Sequence, residues 1–137
     1  MKYKKAALIM LAIIAILAVI YYAVSNQIKK QISPLAQTVS VGTVAYEATP
    51  KNLSKSASIW DFEIVLDTHE GSLDQDLTQL AVLLDDKGRE YKPVKWDGDP
   101  PGGHHRTGVL QFKTPDSDTQ SITLKINPGI RFTWDLK

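Results

Sequence analysis

The chain has 137 residues, no cysteine and a formal net charge of +1. Without cysteine it forms no disulfide and carries no cysteine-linked lipid, so any folded part is held by its core alone. The small net charge hides a segregation. Five of the 16 Lys and Arg lie in the first 30 residues, which contain no acid, whereas all 15 Asp and Glu lie in 41–137. An acidic domain with no basic patch among its aromatics argues against nucleic acid as a partner.

Residues 1–5 are a short basic tail carrying Lys2, Lys4 and Lys5. Residues 6–24 then read AALIMLAIIAILAVIYYAV, 19 positions without a charge. As a helix this run is roughly 28 Å long, enough for a hydrocarbon core of about 30 Å. Tyr21 and Tyr22 fall near one end, where amphipathic rings favour the interface. The expectation is a transmembrane helix, with the lipid bilayer as its partner. Three lysines before the run against Lys29 and Lys30 after it place the N-terminus inside, giving a single-pass protein of the cell membrane with its C-terminal domain outside the cytoplasm. The rival is a secreted protein, because Ala23-Val-Ser25 offers small residues spaced for signal-peptide cleavage. Residues 25–37 form a polar linker or stem in which Pro34 stops any continuing helix.

From residue 38 to 137 the pattern changes to short strands. The first strand is expected over Thr38–Tyr46, ended by Pro50. Ser58–Leu66 is the clearest, with Trp60, Phe62, Ile64 and Leu66 on one face. Leu80–Leu84 and Glu90–Val94 follow as a hairpin turning at Asp85-Asp86-Lys87-Gly88. Leu73–Leu80 has room for one helical turn before it. Thr107–Lys113, Ser121–Ile126 and Ile130–Trp134 complete the set. About seven short strands imply an all-β domain, an immunoglobulin-like antiparallel β-sandwich, centred on Trp60, Phe62, Phe112, Phe132 and Trp134.

Two polar stretches hold the candidate chemistry: 67–76, and 96–106 with its Pro100-Pro-Gly-Gly-His-His-Arg106 core. They contain all three histidines, and a rigid sandwich commonly displays a site on such loops. The candidate interaction site is Asp67, His69, Glu70, Asp97, His104, His105 and Arg106. A divalent metal could be held by His69 with His104 or His105, since neutral imidazoles bind zinc, copper or nickel. Neighbouring histidines in extended backbone point opposite ways, so His104 and His105 do not readily share one ion. Asp74, Asp76, Asp97 and Asp99 offer oxygen ligands for calcium but lack calcium-loop spacing. The architectural reading makes Asp97 and Asp99 turn formers and has Arg106 pin the two loops together through Asp67 or Glu70. Ser54, Ser56 and Ser72 lack a nucleophile-elbow context, which leaves a small envelope hydrolase as the weakest alternative.

The segments Trp60-Asp-Phe62, Leu66–Leu73, Tyr91–Gly98, the PPGGHHR run and the closing Phe132-Thr-Trp-Asp-Leu136 resemble an uncharacterised family of small prokaryotic membrane-anchored or secreted β-domains. The resemblance covers about residues 40–137 and is carried by the W-D-G-x-P-P-G-G-H-H-R motif. It implies a β-sandwich outside the cytoplasm and draws attention to His69, His104, His105 and Arg106. It transfers no catalytic assignment, and it leaves any cofactor unknown. The combined expectation is a non-enzymatic domain that contacts an envelope protein or serves the envelope's structure, with metal handling as the alternative.

Overall fold

The computed structural model describes residues 10, 13–23 and 36–136. The chain divides into two compact units, Met1–Ser33 and Pro34–Lys137. In the first unit, residue 10 and residues 13–23 are helical and exposed. Among the described residues, no helix is long and apolar enough to cross a membrane. The expected basic tail, part of the 6–24 span, most of the stem and the Val24–Ser25 cleavage region lie outside the described residues.

Among its described residues, the second unit is all β apart from one helical turn. Nine strands run in chain order: β1 (Gln37–Val41), β2 (Val44–Asn52), β3 (Ile59–Thr68), β4 (Ala81–Asp85), β5 (Glu90–Tyr91), β6 (Pro93–Gly98), β7 (His105–Lys113), β8 (Ser121–Ile126) and β9 (Ile130–Asp135). One sheet has the order β1-β2-β3-β7-β6 and the other β5-β4-β8-β9, with every pairing antiparallel.

Alternation dictates which face is buried. In β3, Trp60, Phe62, Ile64, Leu66 and Thr68 point inward, and in β9 Ile130, Phe132 and Trp134 do so. The five expected aromatics are all buried. Phe62 meets Phe112 edge-on at 5.7 Å and reaches across to Trp134 of the opposite sheet at 5.6 Å, while Trp134 stacks on Phe132 at 6.1 Å. Each such pair adds about 0.5–1.5 kcal/mol beyond the area it buries. These contacts lock the two sheets without a covalent link.

The structure corrects three strand boundaries. The single strand expected over Thr38–Tyr46 is the β1–β2 hairpin, which turns where Gly42 takes a φ of 61°. Pro50 does not end β2 but sits inside it opposite Phe62, and the register shifts before Asn52. The strand expected over Glu90–Val94 is two strands, because the chain leaves the second sheet after Tyr91 and joins the first at Pro93. The helical turn narrows to Leu77–Leu80, with Asp76 accepting from the Thr78 N–H at 2.9 Å as its N-cap.

The hairpin turning at Gly88, whose φ is 77°, is stapled through Asp85. That buried carboxylate accepts the backbone N–H groups of Lys87 and Arg89, both at 2.9 Å, and Nε of Arg89 at 2.5 Å. Burial alone would push the Asp85 carboxyl up, but the hydrogen bonds from Arg89 and Lys87 outweigh it and hold the group below its ordinary value. Arg89 also pairs with Asp116 and Asp118, tying this hairpin to the turn before β8.

A second local constraint lies where β6 and β7 pair. Gly98 faces Gly108, and the Trp96 indole lies over them. A Cβ at Gly108 would stand 2.6 Å from the Gly98 Cα and 2.6 Å from Cζ2 of Trp96. Overpacking of this kind costs about 1–3 kcal/mol. Gly108→Ala is therefore expected to lower the unfolding free energy of the folded domain by that amount, seen as a lower urea midpoint. An unchanged midpoint would mean that the indole has room to move.

Candidate functional site

The two polar stretches meet at one end of the sandwich. In register, β3 ends at Thr68 beside Val44, while β7 begins at His105 opposite Asp67. Between them the backbones form a small junction of their own. The Thr68 N–H donates to the His104 carbonyl, Leu73 N–H to Gly103 and Gly102 N–H to Leu73, each at 2.9 Å. Gly102 and Gly103 make this possible with φ values of 123° and 69°, a region side chains strongly disfavour. The buried Leu73 side chain anchors the same stretch in the core.

Arg106 is the centre of the junction. It occupies an inward-facing position of β7, in step with Gly108, Leu110 and Phe112, and only 2% of its surface is exposed. Its Nη1 donates to the carbonyls of Leu73 at 3.1 Å and Gln75 at 2.6 Å, and its Nε donates to that of Asp99 at 3.3 Å. The guanidinium also lies 5.4 Å from the centroid of Trp96, whose own Nε1 donates to the same Asp99 carbonyl at 2.9 Å. Arg106 thus joins the two stretches as expected, but the expected partners are wrong. It bonds to three backbone carbonyls, not to Asp67 or Glu70, because its strand position aims it into the sandwich while Asp67 faces out.

Asp67 is instead taken by His105. Nδ1 of His105 lies 2.7 Å from Oδ1 of Asp67, with both side chains more than half exposed. The hydrogen bond and the charge of Asp67 raise the His105 pKa above its ordinary value. His69, Glu70, Asp97 and His104 are exposed around the junction. Thr68, expected to close the loop through local backbone bonds, is buried, donates from Oγ1 to the Glu70 carbonyl at 2.7 Å and accepts the Glu70 N–H at 3.2 Å.

Among the described residues, no three His, Asp or Glu side chains are grouped to hold a metal ion. Nδ1 of His105, one of the histidines expected to join His69 on a metal, is engaged by Asp67. The oxygen set for calcium is likewise dispersed onto local partners. Asp74 accepts from Ser72 at 2.9 Å, Asp76 caps Thr78, Asp97 pairs with Lys95 at 3.3 Å, and Asp99 accepts the Thr107 N–H at 2.8 Å. Ser54 and Ser56 bond to each other at 2.8 Å, so none of the three candidate serines is joined to a histidine.

Trp96, Gly98, Gly108, Leu73 and Gln75 complete the junction; all but Gly108 lie in the two polar stretches, but none was singled out as a site residue. The usable signal was strand phase. Counting back by twos from Phe112 and Leu110 puts Gly108 and Arg106 on the buried face.

A scan against protein-family models found no match, and a search of curated proteins found none either. Among solved structures, the chain is similar to a secreted protein of Mycobacterium tuberculosis, MPT63, at 14% identity. The TM-score is 0.47, over 75% of this chain and 93% of that one.

Arg106→Met removes the donors to Leu73 and Gln75 while keeping an apolar stem. Hydrogen bonds from charged donors are worth about 1.5–3 kcal/mol each, so an expected loss of about 3 kcal/mol in urea unfolding allows for partial resolvation. Arg106→Lys should recover only part of it, since one ammonium does not reproduce the guanidinium fork. Full recovery by lysine would contradict the fork geometry.

The His105–Asp67 pair gives a separate test. A raised folded-state pKa means that the pair's contribution is complete below the ordinary histidine pKa and is lost as pH rises through the raised value. In an NMR titration, His105 should show a midpoint above 6.5, and Asp67→Asn should bring it down. A midpoint indifferent to that substitution would show that Asp67 does not hold the imidazolium.

Proposed function

We propose that this chain is a membrane-tethered β-sandwich displayed outside the cytoplasm, whose loop end binds another envelope protein without catalysing a reaction. The observation that carries this reading is the Arg106 junction. It fixes the backbone beneath Asp67, His69, Glu70, Asp97, His104 and His105 while leaving their side chains in solvent. Preorganised loops lose less entropy on binding, so a rigid polar surface of this kind suits recognition.

The immunoglobulin-like reading is supported by strand order. Setting β1 and β5 aside, β2-β3-β7-β6 faces β4-β8-β9, the arrangement of the ABED and CFG sheets of that fold. The junction then falls on the connections equivalent to B–C and D–E, at the end where such domains often carry their binding loops. Tethering is supported by the uncharged run 6–24 and its basic flank, and by the helical backbone of residues 13–23. The likeness of the PPGGHHR motif to small prokaryotic envelope β-domains points to the same compartment.

A photo-crosslinking amino acid placed at Glu70 or His104 of the full-length chain, in carbonate-washed native membranes, tests both halves together. A discrete adduct containing the intact N-terminal segment is expected, with none from the same probe at Lys113 on the sandwich body. Diffuse products from all three positions would remove the partner reading, and a chain lost in the wash would remove the tether.

A further inference from the structure

The outer face of the second sheet carries an arrangement that the loop junction does not explain. Lys125 of β8 and Arg131 of β9 stand directly opposite one another in the antiparallel register. Like charges in that position are destabilising. Such a pair is ordinarily relieved by a carboxylate, but among the described residues neither cation has an ion-pair partner. The two line a groove of about 390 Å³ together with Gln79, Leu80, Val82, Asn127 and Pro128.

No acid lines this groove, although residues 41–137 carry 15 acids against 11 bases. The local charge is therefore opposite to that of the domain. Gln79 and Asn127 add carboxamides that make no hydrogen bond among the described residues. Asn127 is held with its φ at 62°, the one non-glycine residue in the left-handed region among those described. Leu80, 39% exposed, and Val82 and Pro128 supply apolar wall beside the charges.

We infer that this groove binds a phosphate-bearing ligand, with Lys125 and Arg131 neutralising the phosphate and Gln79 and Asn127 donating to its remaining oxygens. A phosphate monoester carries a charge of about −1.5 to −2 near neutral pH, which two unpaired cations match. The Arg131 fork addresses two oxygens at once and Lys125 acts as a point charge. The apolar wall accepts the carbon skeleton that the phosphate is attached to. A free phosphate ester and a lipid headgroup share this chemistry.

The test uses the ¹⁵N-labelled full chain in maltoside micelles at constant ionic strength. One arm adds inorganic phosphate, and the other adds phosphatidic acid, whose headgroup is a phosphate monoester, to the micelles. Saturable shifts at the amides of Lys125, Asn127 and Arg131 are expected. Saturation in the first arm identifies a soluble phosphate, and saturation confined to the second identifies a headgroup. Lys125→Gln at a half-buried outward position and Arg131→Gln at an exposed one should each raise the apparent Kd about tenfold with the rest of the spectrum unchanged. No saturable shift in either arm overturns the inference. So does a response that survives both substitutions, or an equal response to succinate, which would deny selectivity for phosphate.

Discussion

A guanidinium withdrawn from water must find its hydrogen-bond acceptors inside the protein, and the architecture of the loop end follows from that demand. Arg106 enters the sandwich on the buried face of β7, at the level where the hydrophobic core gives out. With no carboxylate on that face, its acceptors are the carbonyls of Leu73, Gln75 and Asp99. Those carbonyls belong to the connections on either side of it in space, so satisfying one side chain fixes two loops. Lysine in its place would offer one compact charge, whereas the guanidinium presents Nε and Nη in a fixed fork. Trp96 covers an open face of the group, and the Gly98–Gly108 pairing admits that indole. Core, strand pairing and loop order are thus coupled at one residue.

Much of the sandwich was legible because its strands are half-buried, and half-burial writes a period of two into the sequence. The core aromatics Trp60, Phe62, Phe112, Phe132 and Trp134 followed from that alternation, and the hairpin at Gly88 from its Asp and Gly turn residues. What escaped were changes of direction. At the Gly42 turn the inward set passes from Gln37 and Val39 to Val44, Tyr46 and Ala48, a change of phase that short strands hide, whereas Tyr91 and Pro93 keep one phase across the step between sheets. A period reports which face is buried, but not which sheet buries it.

The site was legible in composition and illegible in pairing. His69, His104, His105 and Arg106 do gather at one place, and the two loops do meet. Charge complementarity alone suggested Arg106 with Asp67 or Glu70. Register decided otherwise, setting His105 across from Asp67 and Arg106 across from Leu66, on opposite faces of the same strands. Backbone acceptors have no signature in sequence, so a cation that binds carbonyls looks like a cation in search of an acid.

The lateral edges of the sandwich bear on where a partner docks. An open strand edge invites pairing with another chain, and proteins blunt such edges in recognisable ways. On one side, the Gln37 side chain of β1 bonds to both backbone groups of Thr133 in β9, donating at 2.6 Å and accepting at 3.1 Å, so the two sheets are stitched where strand addition would begin. On the other, β5 is two residues long, while β6 opens with Pro93, which has no N–H to offer, shifts register before Lys95 and carries that exposed lysine. These features disfavour association through the sheets. The loop end differs in kind, because its backbone groups are largely satisfied internally while its histidines and acids remain in solvent. Recognition there proceeds through side chains on a fixed frame, which favours a specific partner over indiscriminate strand pairing.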